Sequence, residues 1–281
     1  MKILLLTPPF TQLNTPYPAT VYLKGFLNTL GYSSFQCDLS IEVILRIFSR
    51  SGLQDVFDRA AHSEEELSEN AFRILALQSA YLRTIGPVMA FLQNKNATLA
   101  HQIVGRNYLP EAGRFAELED LEFAFGTMGT QDHARHLATL YLEDLGDLIT
   151  EAVDPEFGFS RYAERLGRTA THFQELDVRL QAENSLVSTV LLDLLAHKME
   201  QVKPDLVCLT VPFPGNLFGA LKCGHYIKQH YPKCKVAMGG GFANTELRSL
   251  NEPKLFDYVD FVALDDGEAP LLSLLEFLDG K

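Results

Sequence analysis

The chain has 281 residues, 47% of them hydrophobic, which is enough for one large domain or two ordinary ones and argues against disorder. Its formal net charge of −12 argues against a nucleic-acid-binding surface, because such surfaces need clustered Lys and Arg. The apolar run after Lys2 ends at Thr7-Pro8-Pro9, too short for a signal peptide or a membrane span. We therefore expect a cytoplasmic protein that binds neither nucleic acid nor membrane.

The first forty residues predict a strand, a helix and a second strand. The apolar run from Ile3 to Thr7 does not alternate, which is typical of a parallel strand buried on both faces. Apolar residues at helical spacing then predict a helix that ends at Gly31, where a left-handed C-cap is favourable. Ser33 to Asp38 is predicted as the second strand, reached by a right-handed crossover.

The pattern changes to helices without convincing strands from Ile41 to about residue 200. Apolar stripes at helical spacing occur around 70–93, 134–152 and 185–200. Such stripes form a protein core more often than a cofactor site. We interpret residues 41–200 as a helical insertion subdomain.

An alternating pattern of strands and helices resumes after Lys203-Pro204. Three further strands are predicted, at Asp205 to Thr210, Lys235 to Met238 and Tyr258 to Leu264. A helix follows the first of these strands and ends at Tyr231-Pro232, and a last helix covers Ala269 to Leu278. The predicted fold is α/β: a five-stranded, doubly wound parallel sheet of Rossmann-like type, with a large helical insertion. Its sheet domain is discontinuous and comprises residues 1–40 and 201–281.

Four loops are expected at the carboxyl edge of this sheet, because each follows the end of a strand: Thr7-Pro8-Pro9, Thr210 to Asn216, Gly239 to Phe242, and Asp266-Gly267-Glu268. Open α/β sheets bind ligands at this edge. A triple glycine permits close approach of a ligand to the main chain, although a tight strand-to-helix turn explains it about equally well. The glycines lack the GxGxxG spacing of a nicotinamide dinucleotide site.

These motifs resemble the cobalamin-binding domain at the N-terminus of many radical S-adenosylmethionine enzymes. The similar features are an opening strand that ends in Pro-Pro, a helix that ends in Leu-Gly-Tyr, and Asp38 at the end of strand two. The Lys-Pro-Asp-Leu-Val strand, the Gly-Gly-Gly-Phe-Ala-Asn turn and the Asp-Gly-Glu-Ala-Pro helix start are also similar. The resemblance covers residues 1–40 and 203–279, and the insertion has no counterpart in it.

The resemblance implies that a corrin ring lies over the strand ends while its nucleotide tail enters the crevice beside the glycine turn. Thr7 to Gln12 stands where methionine-synthase-type domains carry a cobalt-ligating His, so cobalamin is expected without a protein His on cobalt. No residue is implied as catalytic or as a metal ligand. The implied cofactor-binding residues are Thr7, Pro8, Pro9, Thr210, Pro212, Gly215, Asn216, Gly239, Gly240, Gly241, Phe242, Asp266, Gly267 and Glu268.

The spacing of the cysteines signals neither a zinc site nor an iron–sulfur cluster, because no CxxC or CxxxCxxC pattern occurs. The resemblance therefore implies that a [4Fe–4S] cluster and S-adenosylmethionine belong to a C-terminal part outside this chain, and that the chain alone is not catalytic. We expect it to be the N-terminal part of a longer protein. The expected partners are a corrinoid, the radical S-adenosylmethionine domain in cis, and a substrate that is a peptide or a small molecule.

Two other interpretations stay open. A glycosyltransferase-like half domain has a similar start, but it needs a second α/β domain for the donor diphosphate. A non-enzymatic interaction or sensor module would leave the crevice empty and bind a partner through the helical insertion. His225 and His230, on the helix after strand three, are predicted to be exposed.

Overall fold

The computed structural model describes residues 1–13, 15–116, 129–160, 162–164, 167, 173–249 and 251–280. The chain separates into two compact units, one formed by 1–43 with 158–281 and the other by 44–157. The strands and helices, in chain order, are β1 (Lys2–Thr7), α1 (Ala19–Thr29), β2 (Ser33–Asp38), α2 (Leu39–Ile47), α3 (Arg50–Ala61), α4 (Glu69–Ala76), α5 (Gln78–Leu92), α6 (Leu99–Val104), α7 (Thr130–Ala152), α8 (Phe173–Gln181), α9 (Leu186–Val202), β3 (Leu206–Thr210), α10 (Leu217–His230), β4 (Lys235–Gly239), α11 (Gly241–Thr245), β5 (Phe261–Val262) and α12 (Glu268–Leu278).

The first unit is built on a five-stranded sheet with the order β2-β1-β3-β4-β5, and all four strand pairs are parallel. The predicted α/β class and the predicted parallel sheet are thus confirmed, and the order is consistent with a Rossmann-like fold. The chain leaves β1 in one direction and returns to its other side at β3. Such a reversal of strand order creates a crevice at the carboxyl edge.

The central strands are buried on both faces, as their unbroken apolar runs predict. Ile3 and Leu5 pack with Leu27 of α1 and with Leu271 and Leu275 of α12 in one hydrophobic cluster. Successive side chains of a strand point to opposite faces. The intervening strand residues, which are also buried, therefore form the other face of the sheet: Leu4, Leu6, Val207, Leu209, Val236 and Met238.

Strand β5 is much shorter than the predicted strand from Tyr258 to Leu264. Its hydrogen-bonded ladder with β4 contains only two residue pairs, Ala237 with Phe261 and Met238 with Val262. Just before β5, the Asp260 carboxylate accepts a hydrogen bond from the Val236 backbone N–H at 2.9 Å. A side chain thus takes the donor that a longer strand would have paired with its main chain.

Residues 158–200 are part of the predicted helical insertion, whereas contacts in the structure group them with the sheet. The Tyr162 ring makes edge-on contacts with Phe10 at 5.8 Å and Phe218 at 5.6 Å between ring centroids. The Tyr258 hydroxyl donates a hydrogen bond to Asp177 of α8 at 2.6 Å. These contacts attach the segment to the loop after β1, to α10 and to the residues before β5.

The second unit is helical, and its core contains the stacked rings of Tyr81 and Tyr141, 5.0 Å apart. Asp144 of α7 is fully buried and accepts hydrogen bonds from the backbone N–H groups of Ala112 at 3.2 Å and Arg114 at 2.9 Å. Burial raises the pKa of Asp144, and these two hydrogen bonds oppose the shift. The carboxylate therefore anchors residues 112–114 to α7.

The described helices include no single one that is long and apolar enough to cross a membrane. Helices α4 and α5 meet the criteria of length and composition only when taken together, and they are bent by 77° at their junction.

Candidate ligand-binding crevice

A cavity of about 290 Å³ opens at the carboxyl ends of the central strands in the α/β unit. Strands β1, β3 and β4 form its floor, and the N-terminal turns of α1 and α12 form its walls. Its volume lies near the lower end of the range for small-molecule sites, about 300–1,000 Å³. The lining residues are Leu5, Ala19, Thr20, Tyr22, Leu23, Cys208, Leu209, Thr210, Ala237, Met238, Gly239, Gly240, Gly241, Asn244, Ala263, Asp265, Asp266, Gly267, Glu268, Leu271 and Leu274.

The floor is an apolar row that crosses three strands in register. Leu5 pairs with Cys208, and Cys208 pairs with Ala237. Burial raises the pKa of Cys208 to about 12, so the thiol stays protonated at neutral pH. The floor is therefore apolar and uncharged.

The glycine turn joins the ends of β3 and β4 by main-chain hydrogen bonds. The Val211 N–H donates to the Gly239 carbonyl at 2.7 Å, and the Phe242 N–H donates to the Val211 carbonyl at 3.0 Å. Gly240 lies between them with φ +112°, and a Cβ there would lie 2.8 Å from the Val211 backbone N and O. Only glycine fits this close approach of two main chains.

Acidic side chains line the mouth of the crevice, in a loop held by hydrogen bonds. Asp265 has φ +69°, an unfavourable conformation for a residue with a side chain. The Asn244 amide oxygen accepts hydrogen bonds from the Asp265 N–H at 3.0 Å and from Arg248 at 2.9 Å. Arg248 also forms an ion pair with Asp265 at 2.8 Å. The loop therefore presents the following Asp266 from a fixed backbone.

Tyr22 of α1 and Glu268 of α12 face each other across the mouth. A hydrogen bond from the Tyr22 hydroxyl lowers the pKa of Glu268 and, reciprocally, raises the pKa of Tyr22. Glu268 is also the first residue of its helix, where the positive end of the helix dipole favours a carboxylate. The mouth therefore carries a hydrogen-bonded carboxylate beside an exposed aromatic ring.

No protein-family model, curated protein or solved structure matches this chain. The candidate function is therefore drawn from the geometry of the crevice and from its sequence motifs.

Half of the implied cofactor-binding residues line the crevice: Thr210, Gly239, Gly240, Gly241, Asp266, Gly267 and Glu268. The other seven lie outside its lining: Thr7, Pro8, Pro9, Pro212, Gly215, Asn216 and Phe242. The Asn216 amide donates to the Pro8 carbonyl at 2.8 Å, and a Cβ on Gly219 would lie 3.1 Å from Pro9. The loop after β1 therefore packs on the start of α10.

Several lining residues were not identified from the sequence, above all the first turn of α1. Ala19, Thr20 and Leu23 carry no motif, and Tyr22 is an ordinary exposed aromatic residue in the sequence pattern. The signal that points to them is topological, since a right-handed crossover from β1 to β2 brings the start of α1 over the sheet edge.

Among the residues that the structure describes, no group of three or more His, Cys, Asp or Glu side chains is placed to hold a metal ion. The cysteines are free thiols, namely Cys37, Cys208, Cys223 and Cys234.

Proposed function

We propose that this chain is a cobalamin-binding module of a radical S-adenosylmethionine protein and that its crevice receives the nucleotide tail of a corrinoid. The observation that carries the proposal is the position of the crevice. It lies between α1 and α12, at the carboxyl ends of parallel strands, and it includes both the glycine turn and the Asp-Gly-Glu helix start on which the resemblance rests.

The size of the crevice supports an arrangement in which the nucleotide tail enters the crevice and the corrin ring stays outside it. A volume of about 290 Å³ accommodates a flat bicyclic base with part of its ribose, whereas a corrin ring is far too wide to enter. The ring would then rest at the carboxyl edge of the sheet. Leu5, Cys208 and Ala237 would hold the base, and the cobalt would supply its chemistry outside the crevice.

The floor of the crevice suits an aromatic base. Leu5, Cys208 and Ala237 present an uncharged surface on which a flat ring can lie. A Cβ on Gly239 would lie 3.3 Å from the Cβ of Ala263. Glycine at this position therefore leaves more of the crevice open. The Thr210 hydroxyl, which lines the crevice at the end of β3, would exchange a hydrogen bond with the ribose.

The mouth of the crevice suits the amide-bearing edge of a corrin. Corrin side chains end in carboxamides, whose N–H groups donate hydrogen bonds to carboxylates. Asp266 and Glu268 are such acceptors, and both line the crevice. When bound, cobalamin would supply its cobalt as a methyl carrier or redox partner; the residues of this chain would bind the tail and orient the ring towards a radical S-adenosylmethionine domain and a peptide or small-molecule substrate.

The test is retention of hydroxocobalamin by the chain through gel filtration, followed by visible absorbance. We expect about one corrinoid per chain, with the visible spectrum of a base-off form, because the crevice would hold the base. Absence of corrin absorbance under both oxidising and reducing conditions would contradict the proposal and favour an interaction or sensor module. Stabilisation by a nucleotide sugar, without corrinoid retention, would instead favour a glycosyltransferase-like domain.

A further inference from the structure

A second cavity, of about 400 Å³, lies in the α/β unit beside helices α9 and α10 and the loop that precedes α9. It shares no lining residue with the crevice. Its lining residues are Leu180, Gln181, Ala182, Asn184, Thr189, Leu192, Asp193, Lys222, His225, Tyr226, Gln229 and His230. We propose that this cavity is a binding site for a small organic monocarboxylate, with Lys222 as its anchor.

Among the residues that the structure describes, Lys222 is a buried cation without an anionic partner. The residue is 5% exposed, and its ammonium group donates hydrogen bonds only to neutral oxygens, Asn184 Oδ1 at 2.9 Å and the Ala182 carbonyl at 3.4 Å. No described carboxylate pairs with it, and the undescribed residues of this unit include no Asp or Glu. The ammonium nitrogen also lies 5.7 Å from the centroid of the Phe218 ring, which offers only a weak cation–π contact. An ammonium group has three donors, so the third can bind a carboxylate in the cavity.

Other lysines of the same unit are placed differently. Lys198 pairs with Glu42 at 3.1 Å, Lys228 with Asp260 at 3.2 Å and Lys254 with Asp177 at 3.0 Å, and all three are more exposed than Lys222. A buried, unpaired charge is unfavourable for folding. Burial and the nearby Arg179 lower the pKa of Lys222, which is the response expected of a cation that lacks a counter-ion.

The surroundings of Lys222 favour a single negative charge. His225 is half-buried rather than exposed as the sequence predicted, and burial followed by the charge of Lys222 lowers its pKa, so it is neutral at pH 7. Among the described residues that line the cavity, Lys222 is then the buried cation. Asp193 also lines the cavity, is exposed, and disfavours a second negative charge on the ligand. One buried ammonium therefore matches one carboxylate.

The remaining walls suit a flat or apolar body attached to that carboxylate. The rings of Tyr226 and His230 are stacked, with centroids 4.1 Å apart and planes 20° apart. Leu180 and Leu192 add apolar surface. The cavity has room for an aromatic or branched acid beyond the carboxylate. This site does not depend on corrinoid binding.

The experiment compares benzoate with benzamide, which has nearly the same shape and no charge, by calorimetric titration of the full chain. We expect benzoate to bind at least about tenfold more tightly than benzamide, and Lys222→Met to weaken benzoate by about tenfold or more. The control is Lys233→Met, which removes the same charge from an exposed turn and should leave the affinity unchanged.

Three results would overturn the proposal: equal affinity for benzoate and benzamide, unchanged benzoate affinity in Lys222→Met, or tighter binding of inorganic phosphate than of benzoate at equal ionic strength. Thermal unfolding separates a site from a structural role. Lys222→Met removes an uncompensated buried charge, so its melting temperature should not fall. If the variant does not fold, the comparison of benzoate with benzamide on the unmodified chain still decides.

Discussion

Replacement of Gly240 by alanine is expected to lower the free energy of unfolding by about 2–4 kcal/mol. The residue has φ +112°, a conformation that side-chain-bearing residues rarely adopt. The added methyl group would also lie 2.8 Å from two backbone atoms of Val211, which cannot move without breaking hydrogen bonds between the ends of β3 and β4. Urea denaturation followed by circular dichroism measures the change.

Gly25→Ala is the matched control for this substitution. Gly25 lies inside α1, and a Cβ there would meet nothing within 4 Å. Alanine forms helix better than glycine by about 1 kcal/mol, so this variant should be as stable as the parent or slightly more stable. Equal free energies of unfolding for Gly240→Ala and Gly25→Ala would contradict the close approach of the two main chains at the glycine turn.

Replacement of Ala237 by leucine is expected to weaken corrinoid binding by about 100-fold, because the larger side chain fills the floor of the crevice. Ala237 is 4% exposed and lies in the apolar row beside Cys208. Three extra carbon atoms in this position occupy the space that we assign to the base. Equilibrium dialysis against hydroxocobalamin measures the affinity.

Ala76→Leu is the matched control, since Ala76 is an exposed residue at the end of α4 in the helical unit. It should bind hydroxocobalamin as the parent does. The melting temperatures of both variants show whether each remains folded. A folded Ala237→Leu variant with parental affinity would mean that the tail does not enter the crevice.

The strands of the sheet were predictable because burial on both faces leaves a continuous apolar run that Pro or Gly ends abruptly. Strands β1 and β3 match this pattern to within one residue at either end. Strand β5 does not match, because the Asp260 carboxylate accepts the hydrogen bond of a backbone N–H that a longer strand would have paired. The sequence does not indicate which donor an Asp side chain will bind.

The extent of the helical insertion was harder to predict, since an amphipathic helix shows that it has a buried face and not what covers that face. Helices α8 and α9 have ordinary apolar stripes. Their attachment to the sheet depends on particular long-range contacts, such as the hydrogen bonds of Tyr258 with Asp177 and Gln181.

The crevice was predictable where a loop motif marks a strand end and was missed where a helix wall has none. The glycine turn and Asp266 to Glu268 line it. The loop of Pro8 and Pro9, equally marked in the sequence, packs against Asn216 and Gly219 because a long-range hydrogen bond from Asn216 holds it there.

The most direct test of the central claim is a comparison of cobalamin with cobinamide, which has the same corrin ring but lacks the nucleotide tail. Both are titrated against the full chain and measured by equilibrium dialysis. If the crevice holds the tail, cobalamin should bind about 100-fold or more tightly than cobinamide, because only cobalamin buries its base on the floor formed by Leu5, Cys208 and Ala237. Equal affinities for the two corrinoids, or no binding of either, would contradict the account.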